Sequence, residues 1–165
     1  MKVFKEEQRF TQLWLVVLII FSTIVPVAII LSEAKSMESS ELVIALSVVI
    51  LAPAIIFLFK LKTRIDEKGI HYRFIPFHLK TQLIPWSDID KIYVRNYDPI
   101  SEYGGWGIKG GSLWNKKKGT AVNVKGDVGI QLELKNNKKL LIGTQLRNQV
   151  ENTIETYKHK TNSNS

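Results

Sequence analysis

Residues 13–31 read LWLVVLIIFSTIVPVAIIL, and residues 42–59 read LVIALSVVILAPAIIFLF. Neither stretch contains an Asp, Glu, Lys, Arg or His residue. At about 1.5 Å of helix rise per residue, helices of these lengths cover roughly 27–28 Å, close to the ~30 Å hydrocarbon core of a bilayer. The two stretches therefore predict two transmembrane helices and an integral membrane protein.

The charges that flank the apolar stretches predict their orientation. Cations lie outside the pair, at Lys2, Lys5, Arg9, Lys60, Lys62 and Arg64. The nine-residue connection, residues 33–41, holds three glutamates and only one cation, Lys35. The positive-inside rule then places both termini in the cytoplasm. We expect a two-pass helical hairpin, residues 1–62, in the inner (plasma) membrane.

A cleaved signal peptide is the competing interpretation of the first stretch. The basic N-terminus resembles an n-region, and Ser32, Glu33 and Ala34 offer small residues for cleavage. The first stretch is longer than the usual ~7–15 apolar residues of a signal peptide, which favours a retained helix. With cleavage, the second stretch would become a stop-transfer helix and the basic domain would still lie in the cytoplasm.

The rest of the chain is basic and contains no cysteine. From Lys60 onward it carries 19 of the 23 Lys and Arg residues and 10 of the 15 acidic residues, a net charge of about +9. Such an excess of positive charge indicates anionic partners. The absence of cysteine excludes disulfides, thiolate zinc sites and a cysteine nucleophile.

Beyond Arg64 the apolar residues alternate with polar ones, as in half-buried antiparallel strands. Ile70, Tyr72 and Phe74, for example, are separated by His71 and Arg73. We predict about seven strands, at residues 63–66, 70–75, 78–84, 89–97, 120–125, 129–135 and 139–143.

The last segment has a helical period. Leu146, Val150, Ile154 and Tyr157 are spaced by four, four and three residues, and Thr144 precedes them as a candidate N-cap. We therefore expect an α+β protein, in which residues 63–158 form an antiparallel β-sandwich or barrel with a C-terminal helix. Residues 159–165 are polar and are predicted to be a disordered tail.

Three segments carry a resemblance to a known family. Residues 84–92, IPWSDIDKI, resemble the strand junction of bacterial pleckstrin-homology-like (PH-like) domains, which commonly follow a pair of transmembrane helices. Residues 102–107, EYGGWG, and 140–144, LLIGT, are similar to an uncharacterised group of such bacterial proteins. The resemblance covers nearly the whole chain and implies a PH-like fold, membrane location and self-association. Its motifs are structural, and it implies no enzymatic activity.

The chain offers little for catalysis or cofactor binding. Residues 105–110, GWGIKG, match G-x-G-x-x-G, but they lack the preceding strand and following helix of a dinucleotide site, so we interpret them as a flexible loop. No histidine stands in a metal-ligand spacing, and His71 is interpreted as an exposed side chain. Asp88 and Asp90 suit a solvated turn better than a catalytic dyad. We predict no enzyme, cofactor or metal.

The segment from residue 103 to 118 is rich in glycine, aromatic residues and lysine. Its candidate contact residues for a membrane surface or a partner are Tyr103, Trp106, Trp114, Lys116, Lys117 and Lys118. Lysine is attracted to anionic head groups and tryptophan favours the membrane interface. The alternative interpretation is a solvated loop with one tryptophan packed into the core.

These observations predict a non-enzymatic interaction or scaffold module at the inner leaflet, which binds protein partners, copies of itself or anionic lipid head groups. The alternative is an accessory or regulatory subunit of a larger membrane transport or secretion complex. Specific phosphoinositide recognition is not expected, since the loop assigned to the first two strands, residues 66–69, holds two acids. Nucleic acid is not expected either, because membrane topology already accounts for the positive charge.

Overall fold

A computed structural model of the chain describes residues 2–110 and 119–161. The chain divides into two compact units. One is the helical unit, Phe10–Phe59. The other, which we call the sheet domain, combines Met1–Arg9 with Lys60–Ser165. In the sequence, the helical unit is therefore an insertion into the sheet domain.

The helical unit contains the two predicted helices. Helix α1 is Leu13–Ser32, and helix α2 is Ser39–Ala54, which continues as a 3₁₀ turn at Ile55–Leu58. A second 3₁₀ turn, Ala34–Ser36, connects them, and α1 packs against α2. Each of the segments Leu13–Ser32 and Ser39–Leu58 has 20 residues, about 30 Å of helix, and is long and apolar enough to cross a membrane.

Three hydroxyl groups in the middle of the apolar helices are satisfied within their own helices. Ser22 and Thr23 donate to the Ile19 carbonyl oxygen at 2.9 and 2.8 Å, and Ser47 donates to the Val43 carbonyl oxygen at 2.7 Å. A hydroxyl bonded in this way adds no unpaired donor to an apolar helix surface. The surfaces of α1 and α2 thus consist almost entirely of exposed apolar side chains.

The first sheet of the sheet domain has four antiparallel strands in the order β1-β2-β3-β4. These strands are β1 Phe4–Arg9, β2 Lys60–Asp66, β3 Gly69–Ile75 and β4 Gln82–Pro85. Strand β1 was not predicted, because its residues were expected to belong to the helical hairpin, residues 1–62. Strand β2 begins three residues before its predicted start, and β4 begins four residues after its own.

The second sheet has five strands in the order β5-β8-β9-β7-β6. They are β5 Ile89–Asn96, β6 Gly107–Gly110, β7 Thr120–Asn123, β8 Val128–Leu134 and β9 Lys139–Gly143. The β7–β9 pair is parallel, and the other pairs are antiparallel. A short helix, α3, Pro99–Tyr103, follows β5. The described residues thus form nine strands, with β1 and β6 added to the seven predicted.

Helix α4, Arg147–Tyr157, contacts β1 and β2 of the first sheet and β5 and β8 of the second. Its N-cap is Leu146 rather than Thr144, whose hydroxyl oxygen accepts the Leu146 N–H at 3.2 Å. The chain continues as a 3₁₀ turn to a buried Thr161, so the predicted tail is folded at its start. Residues 162–165 lie outside the described part.

The core of the sheet domain draws on both sheets and on α4. Its most buried apolar side chains include Leu61, Ile65, Ile70, Phe74, Ile89, Ile130, Leu132, Ile142, Val150 and Ile154. The buried Trp86 indole donates to the Asp66 carbonyl oxygen at 2.9 Å, and its ring lies 5.6 Å from that of Tyr157. The architecture is α+β, with two mostly antiparallel sheets and a C-terminal helix.

Candidate functional site

Strand β1 is held to both sheets although it precedes the apolar helices. Phe4 is buried, and the Gln8 side-chain amide donates to the Gly143 carbonyl oxygen, at the end of β9, at 2.7 Å. The Glu6 carboxylate accepts the Thr144 hydroxyl at 2.7 Å. These bonds join residues at opposite ends of the chain, so β1 is an integral part of the sheet domain.

One face of the first sheet is basic. Along β2 the buried Leu61, Thr63 and Ile65 alternate with more exposed cations. Applied to β1, β2 and β3, the same alternation and the strand register collect six cations on the outer side, namely Lys5, Arg9, Lys60, Lys62, Arg64 and Arg73. We call this the basic face. Its acidic members are Glu7 and Asp66, so the net charge is positive.

Glu7 is held ionised between two cations of the basic face. The Arg9 guanidinium lies 2.7 Å and the Lys62 ammonium 3.0 Å from its carboxylate oxygens. Hydrogen bonds from Arg9 and Lys62 lower the pKa of Glu7 to about 2. Because the three side chains are all substantially exposed, these contacts order the face more than they stabilise the fold.

Asp66 is the buried acid at the end of β2. Its carboxylate accepts the Lys68 N–H at 2.9 Å and lies 2.8 Å from the Arg64 guanidinium. Burial opposes ionisation, but the bonds from Lys68 and His71 and the charge of Arg64 outweigh it, so the pKa of Asp66 is lowered. His71 Nε2 is 3.1 Å from Asp66, and its side chain is only 19% exposed. The interpretation of His71 as an exposed side chain was therefore wrong.

An open depression of about 540 Å³ lies on the basic face. It is lined by Lys5, Glu6, Glu7, Lys62, Thr63, Arg64, His71, Arg73 and Thr81. Its four cations, Lys5, Lys62, Arg64 and Arg73, outnumber its two glutamates, so this shallow, open surface suits an anionic group such as a phosphate or a carboxylate. The depression can therefore bind and orient an anionic group.

Tyr103, predicted as a surface contact, lies inside the sheet domain and is 7% exposed. It belongs to a buried cluster with Tyr97, Ala121 and Leu141. Its ring centroid is 6.0 Å from that of Tyr97, and its hydroxyl oxygen accepts a bond from Arg95 at 3.2 Å. In this position the ring contributes to packing rather than to the protein surface.

Trp106 is half-buried, and its indole N–H donates to the Gly126 carbonyl oxygen at 3.3 Å. Its neighbours Gly107–Gly110 form β6, which pairs antiparallel with β7, so this part of the predicted loop is a strand. That strand also occupies most of the G-x-G-x-x-G match. The remaining predicted contact residues, Trp114 and the lysines at 116–118, lie outside the described residues.

The basic face was missed for an identifiable reason. Lys60 and Lys62 were interpreted only as flanking charges, although their alternation with Leu61 and Thr63 is the period-two pattern of a strand. The sequence therefore contained the signal for the start of β2. No comparable apolar alternation marks β1, whose sequence is FKEEQR.

Within residues 2–110 and 119–161, no group of three or more His, Cys, Asp or Glu side chains is placed to hold a metal ion. No protein-family model matches the sequence, and no curated protein matches it.

Proposed function

We propose that this protein is a membrane-anchored, non-enzymatic interaction module, whose PH-like sheet domain acts at the inner face of the membrane that α1 and α2 span. One observation carries the proposal: Arg9, the last residue of β1, is the cross-strand partner of Lys60, the first residue of β2. Because both belong to one folded domain, the chain must enter and leave the bilayer on the same side. Two spans satisfy that requirement.

The strand order supports the PH-like assignment. Four antiparallel strands form one sheet, and β5, β8 and β9 form a three-stranded antiparallel meander in the other. Helix α4 then contacts strands of both sheets. In this interpretation α3, β6 and β7 are an insertion between β5 and β8, and the helical unit is an insertion between the first two strands.

The charge distribution supports a plasma-membrane protein whose sheet domain lies in the cytoplasm. Strands β1 and β2 carry cations at Lys5, Arg9, Lys60, Lys62 and Arg64, directly beside the ends of the apolar helices in the sequence. The connection between the helices carries three glutamates. The positive-inside rule retains the strand side in the cytoplasm.

The same strand pair supports a retained N-terminus. Cleavage after Ala34, as a signal peptidase would make, separates β1 from the rest of the chain. The buried Phe4 and Gln8 would then be lost from the sheet domain. The integration of β1 favours a hairpin that stays attached.

In this proposal the basic face is the contact surface of the module. The Lys62 and Arg64 side chains are 50% and 51% exposed, so they can reach an anionic partner without rearrangement of the sheet. Complementary charge would steer association and set orientation. The tether keeps the face at high effective concentration near any partner in the same membrane.

Single-cysteine labelling tests the topology directly, because the natural chain has no cysteine. Ser36, in the connection between the helices, and Ser101, in α3, are both exposed. We expect a membrane-impermeant maleimide to label Ser36→Cys in intact cells and Ser101→Cys only after permeabilisation. Labelling of Ser101→Cys from outside, or of neither site before permeabilisation, would contradict the proposed topology.

Photo-crosslinking in native membranes tests the contact surface. A crosslinker at Lys62 on the basic face is compared with one at Lys91, an exposed position on β5 that is 67% exposed. Products specific to Lys62 would support the interaction module. A crosslinker is also placed on α1, at the exposed Phe21. If only this position gave products, and the captured species were a polytopic protein, the result would favour the accessory-subunit alternative.

A further inference from the structure

The β3–β4 connection exposes two large apolar side chains. We call residues 76–81 the apolar loop. Phe77 is 63% exposed and Leu79 is 85% exposed. Among the residues that the structure describes, no large apolar side chain is more exposed than Leu79, including those of the two apolar helices. Two large apolar side chains exposed in one short loop make this loop a candidate contact surface.

The apolar loop is folded back onto β3 through His78. The His78 N–H donates to the Phe74 carbonyl oxygen at 2.7 Å, and the Phe74 N–H donates to His78 Nδ1 at 3.1 Å. Arg73 Nε donates to the His78 carbonyl oxygen at 3.1 Å. The backbone around His78 is therefore fixed. The Phe77 ring stacks on the Phe74 ring at a centroid distance of 5.9 Å, and Phe77 and Leu79 remain largely exposed.

The strand register places the apolar loop at a particular end of the first sheet. Lys60 is the partner of Arg9 on one side and of Ile75 on the other. These three residues form one row across β1, β2 and β3. The chain leaves this row in three places: from Arg9 towards α1, from Lys60 back towards α2, and from Ile75 into the apolar loop.

The connections to the apolar helices are short. Three residues separate Arg9 from Leu13, and a single residue separates Leu58 from Lys60. The apolar loop begins at Pro76, directly after Ile75, the last residue of β3.

The opposite end of the same strands is different. The β2–β3 turn there consists of Glu67 and Lys68, and the neighbouring Ile65 and Ile70 are fully buried. Exposed apolar side chains are thus present in the β3–β4 connection, at the end that continues into the apolar helices, and absent from the β2–β3 turn at the other end.

We infer that the apolar loop inserts Phe77 and Leu79 into the interface of the membrane that α1 and α2 span, as a third attachment point of the sheet domain. Cations surround the insertion site, with Lys80 in the loop itself and Arg9 and Lys60 on the adjoining row. They match the anionic head groups of the inner leaflet. This inference rests on the proposed function, since it requires the helices to span the bilayer.

Insertion fixes the orientation of the sheet domain. Two covalent connections at neighbouring strands still allow rotation about the line that joins them, whereas a third contact at β3 removes it. Because the tether already holds the loop near the bilayer, even a small apolar contact is favoured at high effective concentration. The basic face would then be presented to partners in one defined orientation.

The test uses the full chain in two kinds of nanodisc. One contains phosphatidylcholine with about 30% of the anionic lipid phosphatidylglycerol, and the other contains phosphatidylcholine alone. An environment-sensitive fluorophore is attached at Leu79→Cys, and its matched control is Lys68→Cys in the opposite turn. Both native side chains are exposed, so neither change disturbs the core. Spin-labelled acyl chains report contact with lipid, and the topology is established separately by the Ser36→Cys labelling of intact cells described above.

We expect the Leu79 probe to shift to shorter wavelength and to be quenched severalfold more by spin-labelled lipid than the Lys68 probe, with a larger difference in anionic discs. Adding Phe77→Ser should reduce that quenching. Equal quenching at both positions with correct Ser36 topology would overturn the insertion but leave the proposed function standing. A blue shift without lipid quenching, seen only with several copies per disc, would overturn it in favour of contact between copies. Failure of the Ser36 topology itself would overturn both.

Discussion

Arg9 and Lys60 are cross-strand partners at one end of the β1–β2 pair, although all of Phe10–Phe59 lies between them in the sequence. The two apolar helices therefore occupy the place of a turn within a β-hairpin. A domain attached in this way has two connections to its helices at neighbouring strands, rather than one flexible linker.

The strand pair predicts how the sheet domain can be isolated. If residues 10–59 are replaced by a short turn that contains Asn-Gly, β1 and β2 can close as an ordinary hairpin. We expect this variant to be soluble and to unfold cooperatively on heating, as measured by circular dichroism. The fragment that begins at Lys60 should be much less stable, because it lacks β1 and its buried Phe4.

A matched substitution sharpens this comparison. Phe4→Ala in the turn-closed variant should lower the free energy of unfolding by about 3–5 kcal/mol, the usual cost of removing a buried aromatic ring. Val3→Ala, at a 45% exposed position, should have little effect. Equal stability of the turn-closed variant and the Lys60 fragment would show that β1 does not belong to the domain.

Retention of the N-terminus is a separate prediction. Because β1 supplies an edge strand of the first sheet, the protein purified from membranes should still contain Phe4 and the residues up to Ala34. Intact mass measurement checks this. A mass that corresponds to a chain beginning near Lys35 would support the signal-peptide interpretation instead.

The buried Asp66 predicts a loss of stability in acid. Its pKa is lowered in the folded state, so its contribution to stability is fully present above the ordinary value of 3.8 and is lost as the pH falls through the lower folded value. Asp66→Asn should remove that part of the pH dependence. It should also cost about 1–3 kcal/mol at neutral pH, because the Lys68 and His71 groups lose a charged acceptor.

Denaturant unfolding of the turn-closed variant between pH 2 and 7 measures both effects. Asp90→Asn is the control, since Asp90 is exposed on β5. If Asp66→Asn retained the acid sensitivity of the parent, the stability of the fold would depend on other carboxylates.

Tyr103 should behave as a core residue. Tyr103→Ala is expected to lower the free energy of unfolding by about 3–5 kcal/mol, because the ring packs against Tyr97 in a closed cluster. Tyr103→Phe should cost only about 1 kcal/mol, from the loss of the Arg95 bond. Unchanged stability of Tyr103→Ala, together with weaker membrane or partner binding, would restore Tyr103 as a surface contact.

Strands β3 and β8 could be predicted because their own residues alternate. Ile70 and Phe74 in β3, and Ile130 and Leu132 in β8, point to the core at a period of two. Strand β6 has the sequence GIKG, in which three of four positions carry no apolar side chain. Strand β6 could be identified only from its pairing with β7.

The sequence by itself determined the two apolar helices and the charge asymmetry around them. Both are local properties, because the transfer of a side chain to hydrocarbon and the count of flanking cations depend on composition and length alone. Only the tertiary structure decided that β1 belongs to the sheet domain and that the basic face exists. The buried partners of Glu6 and Gln8 lie at Thr144 and Gly143, at the other end of the chain, and no local pattern encodes a pairing over that distance.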